Sequence, residues 1–251
     1  MSVRDPAASP APGIAVPRDA GAAAARPTTL AWDLPTRLSK WTLAVLVGLA
    51  FASRYYGDAN LVWHMWNGLA ILVVLVFRLL WGVVGGSTAR FAGFVAGPRA
   101  VVGYVAGLLK GRPRHYLGHN PAGGWMVVAL LVLVGAQAVT GLFTTDDIMI
   151  DGPMVRVAAG WVVERASVLH QDLFQYLLVL LGLHVAANLA YSLLGRDNLV
   201  LAMLSGRKPA GHYVDVASAT PGSIARAIAC LAMAVALVFG GIALAGGKPF
   251  P

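Results

Sequence analysis

Six histidines occur in this chain of 251 residues: His64, His115, His119, His170, His184 and His212. His64, His170 and His184 fall in long apolar runs, where an imidazole needs a hydrogen-bond partner or a metal. His170 and His184 are fourteen residues apart in one such run. On an α-helix this is nearly four turns, so the two rings share a face about 21 Å apart along the axis. Two neutral imidazoles facing each other across an apolar core are the usual axial ligands of six-coordinate haem b. Three other uses compete: a hydrogen-bonded structural role, a zinc site and a proton relay. Zinc finds no thiolate and no well-placed carboxylate to complete a tetrahedral set. A relay would need acidic partners, and the helix cores hold almost none.

The elements that must carry these rings follow from composition. Hydrophobic residues make up 58% of the chain and charged residues 12%, and mean hydropathy is +0.70. A soluble globule carries about 25% charged residues, so this chain lacks the means to cover a water-facing surface. A cytosolic enzyme, a disordered tail protein and a secreted disulfide scaffold are excluded. The single cysteine, Cys230, excludes an internal disulfide, a four-thiolate zinc site and a four-cysteine iron–sulfur cluster. Five stretches approach the roughly 20 apolar residues of a membrane helix: 41–56, 61–84, 124–143, 167–194 and 222–246. The first reaches full length only with the flank from Leu38. Nothing alternates polar and apolar residues as a membrane barrel strand does. The fold class is an all-α integral membrane bundle of four helices plus a fifth.

Flanking segments complete the plan. Residues 1–30, rich in Ala, Pro and Gly, are expected to be disordered. A cleavable signal peptide is not expected, since the first apolar run starts after Lys40. Residues 209–221 read as a linker and 247–251 as a short tail. Segment 85–123 carries Arg90, Arg99, Lys110, Arg112 and Arg114 without an acidic residue, and 195–221 and the N-terminal tail are also basic. Segment 144–166 holds Asp146, Asp147, Asp151 and Glu164 against Arg156 and Arg165. The net charge of +8 thus sets topology rather than marking a nucleic-acid partner. The N-terminus is expected in the cytoplasm, and residues 144–166 and Pro251 outside. His64 and His170 then lie at one outer depth on two inward-running helices, and His184 lies inward.

Several runs carry a family resemblance. Trp32-Asp33-Leu34-Pro35-Thr36-Arg37-Leu38 leads into Lys40-Trp41, followed by His64-Met65-Trp66-Asn67-Gly68 and Phe77-Arg78-Leu79-Leu80-Trp81-Gly82. Then come Gly118-His119-Asn120-Pro121, Thr140-Gly141-Leu142-Phe143, His170, His184 and Asn198-Leu199-Val200. The ordered set, over about residues 31–208, resembles the bacterial cytochrome b561 family, which includes the cytochrome b subunits of nickel–iron hydrogenases. The resemblance implies a four-helix domain over that span, with four histidines on helices one, two and four holding two b-type haems. His64 and His170 match the outer haem pair, and His184 matches half of the inner pair. The first-helix histidine is replaced here by Lys40, so one haem or two is implied.

Lys40 has three readings: a neutral amine ligand beside His184, a bystander that leaves His184 as sole ligand, or a snorkelling surface lysine. His119 reads as a helix-entry residue, or as a replacement inner ligand. His115 and His212 read as solvated. Arg54 and Arg78 would meet haem propionates or lipid phosphates. Trp63, Trp66, Trp81, Trp125 and Trp161 read as an interfacial aromatic belt. The family implies electron transfer between a redox partner, such as a c-type cytochrome or dehydrogenase, and the quinone pool in the bacterial inner membrane. Membrane lipid and a second copy of the chain are further candidate partners. Neither a Cys-x-x-Cys-His motif nor a flavin or nicotinamide fingerprint occurs, so a dehydrogenase would be a separate chain. The alternative class is a non-redox membrane protein, a small transporter or sensor subunit with structural histidines.

Overall fold

The computed structural model of the chain describes residues 27–55, 61–112, 114–145, 150–193 and 198–250. In order they form β1 (Thr28–Leu30), α1 (Leu34–Tyr55), α2 (Val62–Val84), α3 (Phe91–Phe94), α4 (Pro98–Leu109), α5 (Pro121–Gly141), α6 (Gly160–Leu193), α7 (Leu199–Ser205), β2 (Arg207–Pro209) and α8 (Ile224–Val235). A π-helical turn (Ala236–Gly240) continues α8 into α9 (Gly241–Leu244). Four of these helical stretches are long and apolar enough to cross a membrane: α2, α5, α6 and the continuous run Ile224–Leu244. α1 is as long, at 22 residues, but Arg37, Lys40 and Arg54 make it more polar than the four.

Caps in the polar flanks start the helices earlier than the apolar runs do. Asp33 Oδ1 accepts the Thr36 amide at 3.0 Å, so α1 opens at Leu34 with Pro35 in its first turn. Asn120 Oδ1 accepts the Gly123 amide at 2.7 Å, and Pro121 supplies the first helical position of α5. Both use an acceptor side chain for an orphan N–H and a proline where no N–H is needed. α6 begins at Gly160, well before the 167–194 stretch, and its 34 residues span about 51 Å, beyond the roughly 30 Å of a bilayer core.

α2 is the central helix. It packs against α1, α5 and α8, while α5 packs against α6. Its Leu69, Ile71, Leu72, Phe77 and Trp81 are buried with Val134 and Ala138 of α5, Leu177 of α6 and Ala234 of α8. α6 reaches α1 and α2 through side chains rather than close backbone packing: Phe174 stacks on Phe51 at 5.8 Å, and His170 meets His64.

The ends of α2, α6 and α8 that adjoin the N-terminal strand are closed by a small polar cap. β1 pairs antiparallel with β2, from Thr28 opposite Pro209 to Leu30 opposite Arg207. Gly206 makes the turn into β2 at φ +78°, and its carbonyl accepts the amides of Ala31 and Trp32 at 2.9 and 3.0 Å. A side chain there would be strained by φ and would press on the Trp32 carbonyl at 2.8 Å. Asp215 accepts the amides of Leu117 and Gly118 at 2.7 and 2.8 Å.

Three expectations change here. Thr28–Leu30, inside the stretch expected to be disordered, form a strand because β2 offers its edge; residues 1–26 of that stretch lie outside the described residues. Residues 209–221 are bonded to the cap through Ala210, Val214, Asp215, Ala217 and Ala219 rather than hanging as a linker. Trp81 leaves the interfacial belt: it is 0% exposed, and its indole donates to Thr36 Oγ1 at 3.1 Å. Trp63 and Trp161, by contrast, are each 71% exposed.

Candidate functional site

His64 sits in the first turn of α2, and His170 about three turns into α6, at the end of the bundle away from the cap. Their ring centroids are 6.2 Å apart and their planes perpendicular. His64 Nδ1 lies 3.0 Å from the Ala50 carbonyl of α1, with Ser53 Oγ at 3.3 Å. His170 Nδ1 lies 2.9 Å from the Gln137 carbonyl of α5, with Thr140 Oγ1 at 3.2 Å. A carbonyl oxygen only accepts, so each ring carries its proton on Nδ1 and its lone pair on Nε2. That is the tautomer a metal ligand needs, fixed by the kind of second partner that ligating histidines use.

The spacing suits one metal atom between the rings. With metal–imidazole bonds of about 2.0–2.1 Å and a centroid about 1.1 Å behind each nitrogen, two opposed rings stand about 6.2–6.4 Å apart. The observed 6.2 Å falls in that range. Among the described residues no group of three or more His, Cys, Asp or Glu side chains could hold a bare ion. A metal between His64 and His170 would draw its other ligands from a non-protein group, as haem iron draws four from porphyrin. Space for a flat group is present at Gly68, one turn on from His64, where an added Cβ would meet nothing within 4 Å. At Gly141 an added Cβ would press on the His170 ring at 3.0 Å. The residues present fit haem b.

The support for these rings went unread in the sequence. Ala50 acts through its backbone carbonyl, which leaves no residue-type signal, and Ser53 through a hydroxyl eleven residues before His64 in another helix. Gln137 and Thr140, the polar side chains of α5, were the available clue: Gln137 orients His170 by its backbone carbonyl and also donates its side chain to the His170 carbonyl at 2.9 Å.

The cap end is built differently. Lys40 turns inward, with Nζ 3.1 Å from His119 Nε2 and 4.1 Å from the Trp32 ring centroid. His119 is wedged between Trp32 at 4.7 Å and Phe94 at 4.4 Å. Burial, then the charges of Lys40 and Arg78, hold the His119 imidazole well below its ordinary pKa. His184 lies within electrostatic reach of both Lys40 and His119. Its Nε2 stands 3.2 Å from the Asn188 amide nitrogen, one turn further along α6. Thus the structure gathers Lys40, His119 and His184 at one end, but without the carbonyl-oriented pair found at the other. Arg78 is buried beside this cluster at 1% exposure. Arg54 is exposed at the far end of α1, and His212 is exposed on the cap. His115 is half-buried, its carbonyl accepting the Val214 amide at 3.0 Å.

Among curated proteins none matches this chain. The model of one protein family, described as prokaryotic cytochrome b561, matches residues 31–206. This span runs from the residue after β1 to the turn before β2, and it holds both histidine-bearing helices. By that match and by its helical bundle, the chain belongs to the prokaryotic cytochrome b561 family, multi-pass membrane b-type cytochromes of electron transfer.

Proposed function

We propose that the chain carries electrons through a b-type haem held between His64 and His170, exchanging them with the quinone pool and with a separate redox partner. The observation that carries this reading is the histidine pair itself: 6.2 Å between centroids, with each Nδ1 on a carbonyl. The haem, when bound, supplies an iron that changes oxidation state by one electron. The residues do the rest. His64 and His170 present lone pairs from two helices, Ala50 and Gln137 fix their tautomers, and the apolar walls of α2, α5 and α6 exclude water.

The proposed partner is a c-type cytochrome or a dehydrogenase on a separate chain, and the proposed membrane is the bacterial inner membrane. The basic cap would face the cytoplasm, which leaves the histidine pair near the outer surface. The test is the absorption spectrum of the purified full chain expressed with ample haem. Sharp b-type bands on reduction, and their reoxidation by a soluble quinone, are the expected result. A colourless, well-folded protein would overturn the reading and favour a non-redox membrane protein with structural histidines.

A further inference from the structure

The cap end of the bundle gathers cations whose hydrogen-bond donors are not all satisfied among the described residues. Arg78 of α2 is 1% exposed, and neither terminal guanidinium nitrogen has a hydrogen-bond partner. Phe91 covers it at 4.9 Å, in room that Gly82 leaves by having no side chain. From Phe91 the rings run to Phe94 at 5.6 Å and on to His119 at 4.4 Å. His119 in turn meets Lys40 at 3.1 Å, and its Nδ1 is also buried without a partner. One acidic residue, Asp33, acts on both Lys40 and Arg78. Its carboxylate is already engaged: Oδ1 accepts the Thr36 amide at 3.0 Å and Oδ2 the Gly222 amide at 3.1 Å.

A buried guanidinium whose terminal nitrogens lack hydrogen-bond partners is costly, and its planar fork matches two oxygens of a single anion. We propose that Arg78, with Lys40 and His119 beside it, binds an oxyanion, a carboxylate or a phosphate, at the cap end. Lys40, 3.1 Å from His119, gives this end a second cation. Two sources offer that chemistry: the carboxylates of a haem seated near His184, and the phosphate of a membrane phospholipid. The haem source rests on the function proposed above; the lipid source does not.

The experiment uses the full chain purified in mild detergent as wild type, Arg78→Gln and Arg78→Lys. Haem per chain, the midpoint potential of each haem, and lipid retained in native mass spectrometry are measured on each. If the anion belongs to a haem, Arg78→Gln loses that haem or lowers its potential, while the His64–His170 haem keeps its spectrum. If it belongs to a phospholipid, haem content is unchanged, and a retained lipid adduct falls about tenfold. Arg78→Lys keeps the charge but not the fork, and is expected to show the same change at smaller size. Should Arg78→Gln fail to fold, Arg78→Lys alone decides. Unchanged haem content, potentials and lipid retention in a folded variant overturn the proposal. Loss of all haem from the wild type would instead overturn the proposed function, with the lipid measurement still deciding the anion site.

Discussion

At the scale of single residues, the two ends of the bundle use histidine in opposite ways. His64 and His170 are held as lone-pair donors by carbonyls behind them, whereas His119 is packed between rings and cations that disfavour its charge. The second arrangement has a pH consequence. The unfolded chain protonates this imidazole below about pH 6.5, but the folded chain resists doing so until lower pH. Between those limits the unfolded state binds more protons, so stability falls as pH drops below about 6.5. Thermal unfolding in detergent from pH 8 to pH 5 is expected to show this loss, and His119→Gln is expected to flatten it. Parallel profiles for the two proteins would contradict the packing described for His119. His64 and His170 were legible as a pair because loop charge sets the helix directions and so brings the start of α2 and the early turns of α6 to one depth. The Lys40–His119 contact was not, because it joins residues 79 apart through a cap whose closure no local pattern announces.

At the scale of the elements, α5 is the part that sets the His170 ring. Gln137 and Thr140 touch its Nδ1, and Gly141 lets the ring lie against the helix end. Gly141→Ala places a Cβ 3.0 Å from His170 Cε1, and the ring must give way by a few tenths of an ångström to admit it. Haem retention is expected to fall about tenfold, or about 1.4 kcal/mol, while thermal stability of the haem-free chain stays near wild type, because alanine favours the helix. Equal haem affinity in the variant would mean that the ring has more freedom than its three contacts suggest. The helices themselves were readable as apolar runs, but their starts were not. Asp33 and Asn120 lie in polar flanks, and the early turns of α6 hold Glu164 and Arg165, so hydropathy stops short of where hydrogen bonding begins. The π-helical turn at Ala236–Gly240 closes on the Gly240-Gly241 pair, a weak spot for regular helix inside an apolar run that otherwise reads as continuous.

At the scale of the whole molecule, a central α2 joins two dissimilar ends, a paired-histidine end and a cation-rich cap. Its charge distribution predicts a cytoplasmic cap and an external C-terminus. A reporter fused after Pro251 that requires export is expected to be active, and one that requires the cytoplasm inactive. The reverse pattern would mean an even number of crossings, with α1 or the Ile224–Leu244 run not traversing the bilayer. The proposed function rests on iron between two histidines, and axial-ligand spectroscopy of the purified full chain tests that most directly. Low-spin bis-imidazole haem is predicted in the wild type. It should be lost in both His64→Ala and His170→Ala and kept in His184→Ala. A low-spin bis-imidazole signal that survives in either of the first two variants would contradict the account.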